Sequence, residues 1–221
     1  MSLLPKIVTL RDRGRILLHD QFKYISAKMS SSSGKRLRVL VDMDGVIADF
    51  EGGFLKKYRA RYPNEPYITL EDRRGFWVSS QYGNLRSDLC VSSSELCILS
   101  EKGKYPYIKC LTDVFICTSP IKHYIHCPGE KYAWIEKHLG YDFLDQIILT
   151  RDKTVVTGDV LIDDKPDILG ESSVCSVEPN PSWEHILFTA CHNKHILPSS
   201  SHRRLLSWAD DWRGILENKR L

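Results

Sequence analysis

The 221-residue chain has no apolar run near the ~20 residues that a bilayer-spanning helix needs. It also has no CxxC pair, and its seven cysteines (Cys90, Cys97, Cys110, Cys117, Cys127, Cys175, Cys191) are an odd number. That count fits reduced thiols of an intracellular compartment better than a disulfide frame or a zinc site. Charge of one sign is scarce as well: 31 Lys and Arg face 28 Asp and Glu, a net charge of +3. No broad basic field therefore points to a nucleic acid polymer as partner. Hydrophobic residues make up 42% and charged residues 27%, the balance of an ordinary globular protein. The length holds one good-sized core, or a core and a small insert.

The most informative stretch runs from Arg38 to Asp49, RVLVDMDGVIAD. Val39, Leu40 and Val41 read as a short buried strand. Asp42 and Asp44 follow it directly, and Gly45 lets the chain turn sharply. Carboxylates just past a buried strand face the crevice where α/β folds bind ligands. Two acids so close repel unless a cation lies between them or one is protonated. A hard ion such as magnesium fits that arrangement. The pattern also suits covalent phosphoryl transfer, one aspartate as nucleophile and the other as general acid and base. A bare DxD also reads as a polar turn in which either aspartate caps the next helix.

Residues 1–36 differ from the rest. Met1–Lys28 carries six basic residues against Asp12 and Asp20, with apolar residues interspersed. It reads either as an organelle-targeting segment or as a basic tail. Phe50 to Arg61 reads as a helix with Phe54, Leu55 and Tyr58 on one face, broken by Pro63 and Pro66. Phe76 and Trp77 follow Gly75; they read as core or as an apolar wall for a planar base. Residues 83–112 show no clean period. Val114–Cys117 is a second strand, ending in Thr118 and Ser119, whose hydroxyls can donate to a phosphate. Pro128–Gly140 reads as a helix, with Lys131 in its first turn, where the helix dipole disfavours a cation. Such a lysine points to a nearby anion, an exposed side chain being the alternative. Ile147–Thr150 is a third strand, followed by Arg151 and Lys153. Val160–Ile162 is a fourth, followed by Asp163 and Asp164. Trp183–Thr189 is a fifth, and His202–Lys219 reads as a closing helix.

Four strands thus end in chemically useful residues, and a parallel sheet puts those ends on one edge. The set comprises a nucleophile, an acid, hydroxyl donors, cations and two carboxylates for a metal. Phosphoryl transfer asks for those groups, since its catalysis is mostly positioning and charge neutralisation.

The order of acid pair, Thr/Ser, Lys and acid pair resembles the haloacid dehalogenase superfamily. Within it the chain resembles the 5′(3′)-deoxyribonucleotidases through RVLVDMDGVIADFEGGF, LEDRRGFWVSSQYG, DVFICTSPIK, EKYAWIEKHLG, ILTRDKTVV, LIDDKPDI, PSWEHILFTACHN and SWADDWRGILENKR. The FEGGF and GFWVS stretches are closer to the mitochondrial form than to the cytosolic one. The resemblance implies a Rossmann-like parallel sheet of about five strands flanked by helices over residues 37–221. A small helical cap would be inserted at about residues 52–108.

It further implies that Asp42 attacks phosphorus and that Asp44 protonates the leaving oxygen, then activates water. Mg²⁺ would be held by Asp42, the Asp44 carbonyl and Asp164. Thr118, Ser119, Lys131 and Lys153 would hold the phosphate, and Phe76, Trp77 and Val78 would line the nucleoside side. Deoxyribonucleoside monophosphates, pyrimidines preferred, are the implied substrates, in the mitochondrion or alternatively the cytoplasm. A homodimer is among the assemblies it allows. Residues 83–112 depart from the family, being shorter and unmatched, and 171–178 reads as an inserted loop. That departure keeps two other readings open: a non-catalytic nucleotide-binding protein with a defective cap, and a general small-molecule phosphatase.

Overall fold

The computed structural model describes residues 35–86, 112–122, 124–168, 180–197 and 203–220. The expectations for 1–34, for 87–111 and for the loop at 171–178 lie outside them. The framework is a six-stranded, wholly parallel sheet in the order β3-β2-β1-β4-β5-β6. Its strands are β1 (Leu37–Val41), β2 (Thr112–Thr118), β3 (Ile147–Leu149), β4 (Val160–Asp163), β5 (Glu184–Phe188) and β6 (Arg203–Leu205).

Successive strands run outward from β1 on one side and then on the other. The order reverses beside β1, so the crevice at its carboxyl end is the expected ligand site.

Both faces of the sheet are covered, which explains the apolar runs. Side chains alternate across a strand. Val39, Val41, Val114, Ile116, Val160 and Ile162 therefore point into one core, with Trp134, Ile135 and Leu216 above them. Leu40, Cys117 and Leu161 point to the other, beneath Trp183. A third, smaller cluster lies apart from the sheet. Phe54 and Tyr58 of α1 (Phe50–Arg61) pack there against Val78 and Tyr82 of α2 (Val78–Leu85). Edge-on aromatic pairs join the two helices, Phe54 to Tyr82 at 4.9 Å and Tyr58 to Tyr82 at 4.7 Å between ring centres.

The helix expected over Pro128–Gly140 is α3 (Cys127–Leu139), with Pro128 in its first turn and Gly140 closing it at φ 97°. The closing helix is shorter than expected. Arg203–Leu205 is instead the sixth strand, Phe188 pairing with Leu205, and only α4 (Trp212–Asn218) is helical. The reason is tertiary. Leu205 is buried beside β5, and Trp208 leaves the helical stripe to donate its indole N–H to the Val46 carbonyl at 2.9 Å. Asp211 then caps α4 by accepting from the Gly214 amide. No helix among the described residues is long and apolar enough to cross a membrane.

Candidate active site

Asp42 is the first residue beyond β1, and its amide still bonds the Ile162 carbonyl at 2.9 Å, so its position is set by the sheet. The chain then folds back tightly: the Ile47 and Ala48 amides donate to the Met43 carbonyl, and the Gly45 amide to that of Ala48. Gly45 is required on two counts. Its φ is +76°, and a Cβ there would lie 1.7 Å from Asp164 Oδ2.

Six charged side chains, Asp164 among them, meet at this edge among the described residues. Lys153 Nζ lies 2.8 Å from Asp42 Oδ1 and 2.5 Å from Asp163 Oδ2. Lys131 Nζ lies 2.7 Å from Asp44 Oδ2 and 2.9 Å from Thr118 Oγ1. The anion inferred near Lys131 is thus the carboxylate of Asp44. Both lysines are buried. Burial pulls their pKa values down, but the aspartates facing them outweigh it, and both stay raised and cationic. Burial also raises the pKa of Asp42, and raises that of Asp164 strongly, with repulsion from Asp163 and Asp42 adding to it. Burial lifts the Cys117 thiol to about 12, so this cysteine is a core residue.

Carboxylate oxygens of Asp42, Asp163 and Asp164 all lie within 4.8 Å of one another. Asp163 is already engaged, accepting from Lys153 and from the Lys165 amide at 2.8 Å. Asp164 Oδ1 is buried without a hydrogen-bond partner among the described residues, as is Asp44 Oδ1. Mutually repelling carboxylates with an unfilled buried oxygen fit a hard divalent cation. A second group, Glu51, Cys191 and His192, has similar spacing. It does not fit a cation: both Glu51 oxygens accept from Arg73, and burial pushes the Cys191 thiol up to about 12.

The remaining sequence-derived residues fall as follows. Ser119 is partly exposed just past β2. Arg151 is exposed and donates to the Pro120 carbonyl. Trp77 is 50% exposed and Phe76 half-buried, so these rings are not core. They contact each other edge-on at 4.9 Å, and Lys165 Nζ lies 5.4 Å and 5.6 Å from their centres. Val78 points instead into the α1–α2 cluster.

Sequence reasoning missed a buried polar chain behind these rings. All five Arg73 N–H groups find acceptors. Nε and Nη2 bond Glu51 at 2.8 Å and 2.6 Å, and the others reach the Arg74 and Gly75 carbonyls and Gln81. His192 stands next to Glu51 and donates from Nε2 to the Asp164 carbonyl at 3.1 Å. Burial lowers the His192 pKa. The one signal available was a doubled arginine, Arg73 and Arg74, in an aromatic stretch.

The comparisons agree with this geometry. A family model described as "5' nucleotidase, deoxy (Pyrimidine), cytosolic type C protein" matches residues 106–221. The Homo sapiens protein named "5'(3')-deoxyribonucleotidase, mitochondrial" is 57% identical over 204 residues, 86% of this chain and 86% of that protein. Its Mus musculus counterpart is 56% identical over 212 residues, 89% of this chain and 93% of that protein. The Homo sapiens "5'(3')-deoxyribonucleotidase, cytosolic type" is 50% identical over 199 residues, 84% and 96% of the two chains. With likeness of that degree along most of its length, and an acid-and-lysine cluster at the sheet edge, the chain belongs to the 5′(3′)-deoxyribonucleotidases, a family of phosphoric monoester hydrolases.

Proposed function

We propose that the chain is a Mg²⁺-dependent nucleotidase that removes phosphate from deoxyribonucleoside monophosphates, pyrimidines preferred, through an aspartyl-phosphate. One observation carries this reading. Asp42, Asp44, Thr118, Lys131, Lys153 and Asp164 converge from three adjacent strand ends and two following helical turns, beside the half-buried Phe76 and the exposed Trp77. The pyrimidine preference draws on the description of the matching family.

In the first step an Asp42 oxygen bonds to phosphorus as the bond to the nucleoside oxygen breaks. Asp44 supplies the proton that this leaving oxygen takes up. Lys131 anchors one Asp44 oxygen, and Oδ1 is left without a partner among the described residues. Water then attacks the phosphoryl group, Asp44 accepts its proton, and inorganic phosphate departs with Asp42 restored. Thr118, Ser119, Lys131 and Lys153 hold the phosphate and spread its charge. Asp42, Asp164 and the Asp44 carbonyl would hold Mg²⁺, which when bound neutralises phosphate charge among the carboxylates.

A panel of nucleotides assayed with and without Mg²⁺ tests the reading. Turnover of deoxyribonucleoside monophosphates above ribonucleotides and small aryl phosphates is expected; equal rates would leave only a general phosphatase. We read the chain as mitochondrial, with the cytoplasm as the alternative; its likeness to the relatives named mitochondrial supports this reading. Imaging the full tagged chain checks it.

Phe76→Ala and Trp77→Ala are expected to weaken nucleotide binding by roughly 1–3 kcal/mol each, the worth of one stacking face. Hydrolysis of a small aryl phosphate should be spared. Equal losses on both substrates would remove these rings from the nucleoside wall.

Mg²⁺ is expected to raise the melting temperature of the wild type, since a ligand at about 100 times its Kd stabilises by about 2.7 kcal/mol. Asp164→Ala should abolish that shift. A full shift in the variant would take Asp164 out of the metal site.

A further inference from the structure

We propose that His192 is a positioning residue for Asp164, tying it to Phe76 of the aromatic wall. The inference rests on the reading that Asp164 holds the metal. His192 is 2% exposed and touches three separate parts of the site. Nε2 lies 3.1 Å from the Asp164 carbonyl, and since a carbonyl only accepts, this nitrogen carries the proton. The other ring nitrogen faces Glu51 Oε1 at 3.7 Å. The ring itself meets Phe76 edge-on, 5.5 Å between centres.

The Asp164 carbonyl does not need this donor to be satisfied. Asn193 Nδ2 already bonds it at 2.7 Å while also bonding the Phe188 carbonyl. An apolar ring would fill the same space, so the second donor serves to fix where Asp164 stands. Gly45 also stands against Asp164, where even a Cβ would collide with its carboxylate. Asp164 is thus flanked by the acid turn at its carboxylate and by His192 at its carbonyl. His192 in turn packs edge-on against Phe76, next to the Gly75 carbonyl that Arg73 bonds. One ring therefore touches both the metal-side residue and the wall.

Full-length protein stripped of metal is titrated with Mn²⁺, followed by electron paramagnetic resonance, and melted in chelator. His192→Phe keeps a ring and removes the donor. It is expected to raise the Mn²⁺ Kd by about ten- to a hundredfold, the usual effect of losing a bond that orients a metal ligand. His192→Gln, which restores a donor, should recover most of that loss. Should the Phe variant not fold, His192→Leu removes the same donor and is read by the same criterion. A folded donor-less variant that binds Mn²⁺ as the wild type does overturns the inference. A wild type that binds no Mn²⁺ overturns the metal reading of Asp164 itself.

Discussion

Asp42→Asn is expected to lower phosphatase turnover by more than about 10²-fold, as losses of such groups commonly do, while the protein stays folded. The fold should survive because Asp42 is placed by its main chain, which continues the β1–β4 pairing to the Ile162 carbonyl. The chemistry should not survive because a carboxamide is a far weaker nucleophile and metal ligand. Lys153 keeps its Asp163 partner, so its charge is not stranded. Turnover of a deoxyribonucleoside monophosphate, beside a melting curve, measures both halves. A variant retaining more than about a tenth of the rate would sink the nucleophile assignment.

Arg73→Ala is expected to cost about 3–5 kcal/mol, the price of stranding one member of a buried ion pair. Arg73 is 1% exposed and Glu51 8%, so the uncompensated carboxylate would find little water. The change also releases Gln81 and the Arg74 and Gly75 carbonyls, which Arg73 gathers next to Phe76 in the chain. A typical domain has ~5–15 kcal/mol in all, so the drop in melting temperature should be on the order of 10 °C. Glu51→Gln in the same chain removes the stranded charge and should return part of the loss. A melting temperature unchanged in Arg73→Ala would show that water reaches Glu51 after all.

Much of the framework was readable because both faces of the sheet are covered. Val39–Val41, Val114–Cys117 and Val160–Ile162 had to be apolar throughout, and such runs followed at once by polar residues announce both strand and site. Parallel pairing then brings the ends together, so Asp42, Thr118 and Asp164 could be placed on one edge from order alone. The closing segment was misread for a physical reason. Leu205, Trp208, Trp212 and Ile215 keep helical spacing, but β5 offered Leu205 an unpaired edge, and Val46 offered Trp208 an acceptor. Local pattern gave way to tertiary partners.

By itself the sequence determined which groups the protein carries at its sheet edge and that the sheet is parallel. Only the tertiary structure decided how those groups pair. Lys131 could be assigned an anion but not Asp44 as that anion, and Lys153 could not be placed between Asp42 and Asp163. Whether Phe76 and Trp77 are core could not be told until exposure separated them from Val78. Glu51, Arg73 and His192 lie 22 and 119 residues apart in sequence and carry no motif of their own. Buried charges choose partners by distance and desolvation in the folded state, and neither quantity is written in the spacing of residues along the chain.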